Sequence, residues 1–325
     1  SAEAGAGYSY SITNETDGAI EGTGTIATAT DQISGINVSS LSDGTLTLNV
    51  TLTDAAGNEG LAAEDTVSKD VLAPTGGSVS IDAGAEYATS TSVTLTISAA
   101  GATQMYIDGD ITDEPAWIDY ATSKAVTLSS GDEVKTVTVK FRDAAGNESS
   151  EAEDSITLDT EEPTVTIEGE PTSPTNSTTA TLTISGADVV QYKYRINNDA
   201  WSDAIVVSTP IVLDGLDDGS YTVHVIGADL AGNWQLEGEA TSSSSWTVDT
   251  AAPVAPDANP AAGSYNAVQS VELTLAEDAD ATYYTTDGST PDRDYTLYTG
   301  AIEIDALHDA SITLKAISYD TAGNA

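Results

Sequence analysis

The chain has 325 residues, 39% of them apolar, with one Phe, one Met and no Cys. Its 52 acidic residues against 9 basic give a formal net charge of −43, which excludes binding to nucleic acid or to an anionic membrane through its own surface. No apolar run is long enough to span a bilayer, and the lack of cysteine fits an exported bacterial protein held together by something other than disulfides.

The apolar residues fall in short runs of Val, Ile, Leu and Ala among many Thr and Ser, which favours strands and several small cores. Taken in chain order, four segments alternate with period two: "TLTLNVTLT", "EVKTVTVKFR", "SYTVHVIGA" and "ASITLKAISY". Each reads as a half-buried strand. Each is followed by an Asp-x-Ala-Gly-Asn loop: Asp54 to Asn58, Asp143 to Asn147, Asp229 to Asn233 and Asp320 to Asn324. These loops recur 89, 86 and 91 residues apart, and an Asp stands eleven residues before each one, at Asp43, Asp132, Asp218 and Asp309. A fixed period of this kind marks a repeat protein.

Short strands then end in a second mark: Asp70 before Pro74, Asp159 before Pro163, and Asp249 before Pro253. Proline cannot donate to a ladder and disfavours helix before it, so these are boundaries. They divide the chain into 1–73, 74–162, 163–252 and 253–325. No segment reads as an amphipathic helix. Short strands with frequent turns predict an antiparallel β-sandwich in each unit.

At this period the Asp-x-Ala-Gly-Asn and Asp-Thr-x-x-Pro marks resemble the bacterial immunoglobulin-like tandem repeats of large surface adhesins. Residues 1–73, with "YSYSITNETDG", are similar to one such repeat. Residues 253–325, with "ATYYTTDGSTP" and "YTLYTGAIEI", resemble the chitobiase/β-hexosaminidase C-terminal-like domain. The resemblance implies an all-β chain of tandem immunoglobulin-like β-sandwiches in an elongated array. It also implies that the first unit lacks its first strands and the last unit its final strand. A longer chain or strand exchange between copies would each complete them.

In a seven-strand immunoglobulin topology the loop after the sixth strand faces the incoming linker. The turn before that strand and the Asp-Pro linker lie at the far end. Three acidic elements should then meet at each junction: Asp43, Asp70 and Asp143 with Asn147 at the first; Asp132, Asp159 and Asp229 with Asn233 at the second; Asp218, Asp249 and Asp320 with Asn324 at the third. Asp54 and Asn58 form the matching loop of the first unit. A set of oxygens without His or Cys suits Ca2+. A second use of the same Asp is to close a turn on nearby backbone N–H groups, with Gly supplying positive φ. Repetition at every boundary favours the metal, and the Asp before the strand remains open between the two.

No catalytic constellation stands out. His224 should face solvent on its strand, His308 precedes a turn, Glu161 and Glu162 are linker acids, and Gly76-Gly77 reads as the turn after Pro74. Trp117, Trp201, Trp234 and Trp246, with Tyr283, Tyr284, Tyr295 and Tyr298, offer either a glycan-stacking face or core packing. The expected function is therefore non-enzymatic: a calcium-rigidified stalk or filament of an extracellular bacterial surface protein, serving adhesion or scaffolding. Its partners would be neighbouring copies or further repeats, head to tail, and a surface glycan or a host or biofilm ligand. Two alternatives stay open. One is a carbohydrate-binding accessory module of a secreted glycan-degrading enzyme. The other is a filament subunit that joins copies by donating its N-terminal strand.

Overall fold

The computed structural model describes residues 3–305 and 311–325; His308 and Asp309 lie outside the described residues. The chain is all-β, built of tandem immunoglobulin-like β-sandwiches, with one 3-10 turn at Glu237–Glu239 and no α-helix among the described residues. It divides into two compact units, Ser1–Asp159 and Thr160–Ala325. Each unit contains two separate clusters of buried apolar side chains.

In the first unit, the smaller cluster gathers Ile12, Leu41 and Leu46. It covers one face of an antiparallel sheet ordered Ile20–Thr25, Gly7–Thr13, Gly44–Thr53, Ala63–Lys69. Tyr8 stands opposite Gly24, and Tyr10 opposite Gly22. Each ring lies across its glycine, where a Cβ would come within 2.4 Å of the phenol oxygen. Gly7–Thr13 is paired along both edges, to Ile20–Thr25 and to Gly44–Thr53. The segment expected to complete another copy is thus a central strand of its own sheet, and donating it would dismantle that sheet.

The larger cluster of this unit lies between two sheets. One is ordered Ser123–Thr127, Ser92–Ala100, Thr75–Ile81; the other Tyr87–Ala88, Ala152–Leu158, Glu133–Arg142, Gln104–Gly109, Trp117–Asp119. In Glu133–Arg142, period-two alternation turns Val137, Val139 and Phe141 inward to 0% exposure. Burial of such side chains contributes about 1.5–3 kcal/mol each. Lys135 shares that inward face, and its ammonium escapes to Glu133 Oε1 at 2.7 Å and the Ser130 carbonyl at 3.2 Å. Gly76-Gly77, expected as a turn, lies within the strand Thr75–Ile81 at a break in register. Pairing with Ser92–Ala100 makes it strand, and Gly77 lies against Phe141, where a Cβ would approach the ring to 2.9 Å.

The second unit repeats the plan. One cluster, with Leu182, Tyr192, Val223, Val225 and Trp246 at its centre, lies among three sheets. They are Thr166–Glu168, Ala180–Ser185, Ile211–Leu213; Ile205–Val206, Gln191–Ile196, Val223–Ala228, Thr241–Ser242; and the pair Gly219–Tyr221, Trp246–Val248. The run from Ser220 to Ala228, expected as one strand, is interrupted at Thr222. Its first part pairs with Trp246–Val248 and its second with Gln191–Ile196, and the Ser243 hydroxyl accepts the Val223 N–H at 2.9 Å. The last cluster, Val271, Leu273 and Ile302, belongs to the sheets Asp257–Asn259, Gln269–Thr274, Ile302–Ile304 and Thr296–Leu297, Ala281–Thr285, Lys315–Tyr319.

Candidate functional site

All four Asp-x-Ala-Gly-Asn loops close in the same way. The Asp N–H donates to the Asn carbonyl at 3.0 Å in Asp54 and 3.2 Å in Asp143, Asp229 and Asp320. The Asp side chain then takes up the N–H groups of the turn. Asp143 Oδ1 accepts from Ala145, Gly146 and Asn147 at 2.9, 2.8 and 2.9 Å. Its Oδ2 accepts from Asn147 Nδ2 at 2.8 Å. Asp54, Asp229 and Asp320 accept the same Asn amide at 2.8, 2.9 and 2.8 Å. The glycine is required because its φ is positive each time: +90° at Gly57, +95° at Gly146, +100° at Gly232 and +98° at Gly323.

These bonds favour the ionised carboxylate. The Asn58 and Asn147 amides, with backbone N–H groups behind them, hold Asp54 and Asp143 below the usual carboxylate range. At Asp320 burial pushes the other way, and the Asn324 amide and the loop N–H groups outweigh it, so its value is also lowered.

The same asparagine reaches out of its loop. In the first unit Asn147 Nδ2 also donates to the Asp70 carbonyl at 3.1 Å. Within that linker, Val71 N–H donates to Asp43 Oδ2 at 3.0 Å and Leu72 N–H to Asp70 Oδ1 at 3.1 Å. In the second unit Asn324 Nδ2 donates to the Asp249 carbonyl at 2.7 Å. Thr250 N–H and Oγ1–H both donate to Asp218 Oδ1 at 2.8 Å, and Asn176 N–H donates to the Ala322 carbonyl at 3.2 Å. The three elements predicted for the first and third junctions therefore come together, joined by hydrogen bonds. Asn58, by contrast, donates to Asp54 alone among the described residues. Asp132 and Asp159 belong to the first unit and Asp229 and Asn233 to the second.

The carboxylates and carbonyls at these junctions are hard oxygens, the kind a calcium ion takes. Asp43 Oδ1 is buried with no hydrogen-bond donor, and its nearest cation is Lys69 Nζ at 3.7 Å. Lys69 itself donates to the Leu41 carbonyl. Among the described residues, no three carboxylate or histidine side chains are gathered closely enough to hold an ion. Where Asn147 and Asn324 were expected to offer oxygen, the structure turns their amide nitrogens to the junction. Sequence reasoning missed this bridging role because a side-chain amide carries both a donor and an acceptor.

The aromatic candidates separate. Trp246 is 1% exposed and stacks on Tyr221. Tyr284 and Tyr298 pack on the last cluster, Tyr283 meets Tyr319 edge-on, and Tyr295 is exposed. Trp117, Trp201 and Trp234 each carry a cation over the ring: Arg142, Arg195 and Lys193. His224 is half-buried, bonded to the Ser242 hydroxyl at 2.8 Å.

No curated protein matches the chain. Among solved structures, it is similar to a tetra-tandem repeat in the extending region of a large adhesion protein. There it is 21% identical, covering 99% of this chain and 90% of that one, with a TM-score of 0.35. It is also similar to the fibronectin(III)-like modules of Clostridium thermocellum CbhA, 12% identical over 52% of this chain and 93% of that one, with a TM-score of 0.34. At those scores neither structure decides what this chain does. Residues 260–325 match the chitobiase/beta-hexosaminidase C-terminal domain family.

Proposed function

We propose that the chain is a non-enzymatic structural segment, a stalk or filament, of an extracellular bacterial surface protein, stiffened by calcium at its domain junctions. The observation that carries this reading is the tie from two of the four loops to the preceding linker, Asn147 to the Asp70 carbonyl and Asn324 to the Asp249 carbonyl. The ties draw Asp43, Asp70 and Asp143 to one junction, and Asp218, Asp249 and Asp320 to another. A divalent cation would offset the negative charge of these acidic junctions; extracellular calcium modules bind with Kd of about 10⁻⁴ to 10⁻³ M. The chain's own residues do the rest. The loop Asp locks its turn, the Asn grips the linker, and the Asp before the strand holds the linker N–H. Further repeats or copies of the protein, head to tail, would extend the same arrangement.

Small-angle scattering with calcium and then with chelator tests this. The reading expects a longer, stiffer particle with calcium; an unchanged profile returns the repeated Asp to turn chemistry alone. A second reading, an accessory module of a secreted glycan-degrading enzyme, is favoured by the family match over residues 260–325. It expects retention on an insoluble polysaccharide, lost when the exposed Tyr295 is replaced by alanine, and no response of particle length to calcium.

A further inference from the structure

One sandwich edge in the second unit is open where its counterparts are filled. In the first unit, Glu133–Arg142 lies between Gln104–Gly109 and Ala152–Leu158. Ala152–Leu158 also pairs in parallel with Tyr87–Ala88, and it brings Ile156 and Leu158 into the core. In the second unit, Trp246–Val248 pairs with Gly219–Tyr221, and Val248 bridges in parallel to Thr175. Trp246 and Val248 are likewise core residues. Both strands run into an Asp, at Asp159 and Asp249. Lys315–Tyr319 stands before its Asp-x-Ala-Gly-Asn loop as Glu133–Arg142 does. Its sheet is ordered Thr296–Leu297, Ala281–Thr285, Lys315–Tyr319, so among the described residues its outer edge carries no strand.

A groove of about 400 Å³ opens beside that edge, lined by Ala258, Pro260, Val271, Ile304, Ile312 and Leu314. Ile312 is 39% exposed, so the groove is open to an incoming side chain. Counted back from the loop Asp, Ile312 takes the place of Lys135, and Lys315 that of Thr138. The ladder partner of Lys135 is Ile156, and that of Thr138 is Glu153. A side chain placed like Ile156 would therefore enter the groove beside Ile312. An acid placed like Glu153 would stand opposite Lys315, which forms no ion pair among the described residues. Between them, Asp154 Oδ2 accepts the Ile81 N–H at 2.8 Å. Ala258 faces Leu273 as Ile81 faces Leu95, and Ala258 lines the groove.

We propose that the last sandwich is a docking site for an extended strand of a second polypeptide with the pattern of Ala152–Leu158: leading acids, then two apolar side chains two residues apart. The strand lies antiparallel to Lys315–Tyr319 and exchanges main-chain hydrogen bonds along the open edge. Its apolar side chains fill the groove, because successive side chains on a strand alternate between faces, and its leading acid meets Lys315. The occupant is a peptide because the same chain fills the matching place with a strand in both sandwiches that precede this one. A glycan or a small apolar molecule would leave the unpaired main-chain groups of the edge unmatched. The proposal deepens the head-to-tail part of the stalk or filament reading and rests on it, but not on calcium.

The test is titration of the 325-residue chain, in chelator, with a synthetic peptide of residues 151–160, followed by calorimetry and amide hydrogen exchange. The peptide should bind and slow exchange along Lys315–Tyr319. Ile156→Asp in the peptide should weaken binding about tenfold or more, the loss of one buried apolar side chain. Lys315→Glu in the chain should weaken binding of the unaltered peptide several-fold and leave the circular dichroism spectrum unchanged. The proposal is overturned by no binding, or by equal binding of the Ile156→Asp peptide. Protection confined to Glu133–Arg142 also overturns it, since the peptide would then be replacing the chain's own strand. With calcium absent throughout, these outcomes are independent of the scattering test, and failure of either leaves the other standing.

Discussion

The side-chain amide of Asn147 donates to the main-chain carbonyl of Asp70, 77 residues earlier in the chain, at 3.1 Å. Its other N–H holds Asp143 Oδ2, so one amide links its loop to the segment that runs from Asp70 to Pro74. Asn147→Ala removes both bonds, a loss of about 1–3 kcal/mol since one of them is to a charged group. Asn324→Ala does the same to Asp249 and Asp320. Asn58→Ala removes only the bond to Asp54. Backbone relaxation measurements should therefore show linker residues 70–74 loosened by Asn147→Ala, and residues 249–253 by Asn324→Ala. Asn58→Ala should affect neither linker. Equal behaviour of all three variants would mean that the outward bond contributes nothing.

Lys69 bears on the calcium proposal. Its ammonium lies 3.7 Å from Asp43 Oδ1, the buried oxygen without a donor. The third junction has Val248 before Asp249 where the first has Lys69 before Asp70. A cation already at the first junction competes with a divalent ion for the same charge. Calorimetric calcium titration should resolve weaker binding at the first junction than at the third. Lys69→Gln should tighten the weaker step several-fold, by removing an interaction of roughly 1 kcal/mol at this partly buried pair. A Lys69→Gln titration that overlays the wild type would remove Asp43 from any ion site.

The loop carboxylates set the acid limit of the junctions. Hydrogen bonds from Asn147 and the loop N–H groups lower the value of Asp143, and similar bonds lower Asp54 and Asp320. A group whose folded value is lowered contributes stability above its unfolded value, about 3.9 for aspartate. That contribution is lost as pH falls through the lower, folded value. The Asn147 side-chain amide resonances should hold their positions from pH 7 to about pH 4 and collapse together below it. Loss between pH 6 and 5 would contradict the hydrogen bonding described. In Asp143→Asn the acid transition of that amide pair should be absent.

Much of this fold is legible in residue order, because a strand's two faces are two interleaved lists. The inward list of Glu133–Arg142, ending Val137, Val139, Phe141, can be read directly, and so can the repeated loop with its obligatory glycine. What cannot be read depends on residues far apart. Gly76-Gly77 after Pro74 carries every local sign of a turn, and it is pairing with Ser92–Ala100, with a shift of register, that makes it a bulged strand. The donor role of Asn147 depends on which way an amide is turned, and that is decided by the Asp70 carbonyl. Lys193 and Arg195 plainly share a face, while the indoles beneath them come from positions 201 and 234. The tyrosines at 8 and 10 show an alternating strand; that they lie across Gly24 and Gly22 follows from the register.

Glycine positions give a graded test of the backbone geometry. Gly109 has φ +115°, and a Cβ there would come within 2.3 Å of the Thr136 carbonyl oxygen and 3.1 Å of Val137 Cα. Both obstacles are backbone of the neighbouring strand, whose Val137 is Gly109's ladder partner, and neither can rotate away. Gly131 also has positive φ, +96°, with nothing near its Cβ position. Gly300 has open space and no such φ. Alanine at Gly300 should be neutral or slightly stabilising, because it reduces the freedom of the unfolded chain. At Gly131 it should cost about 1 kcal/mol of backbone strain. At Gly109 the clash adds to the strain, for a total of about 3 kcal/mol or more. Thermal melts should therefore place Gly109→Ala lowest and Gly131→Ala between it and Gly300→Ala. If Gly109→Ala melts with Gly131→Ala, then Gln104–Gly109 does not run against Glu133–Arg142 in the register described.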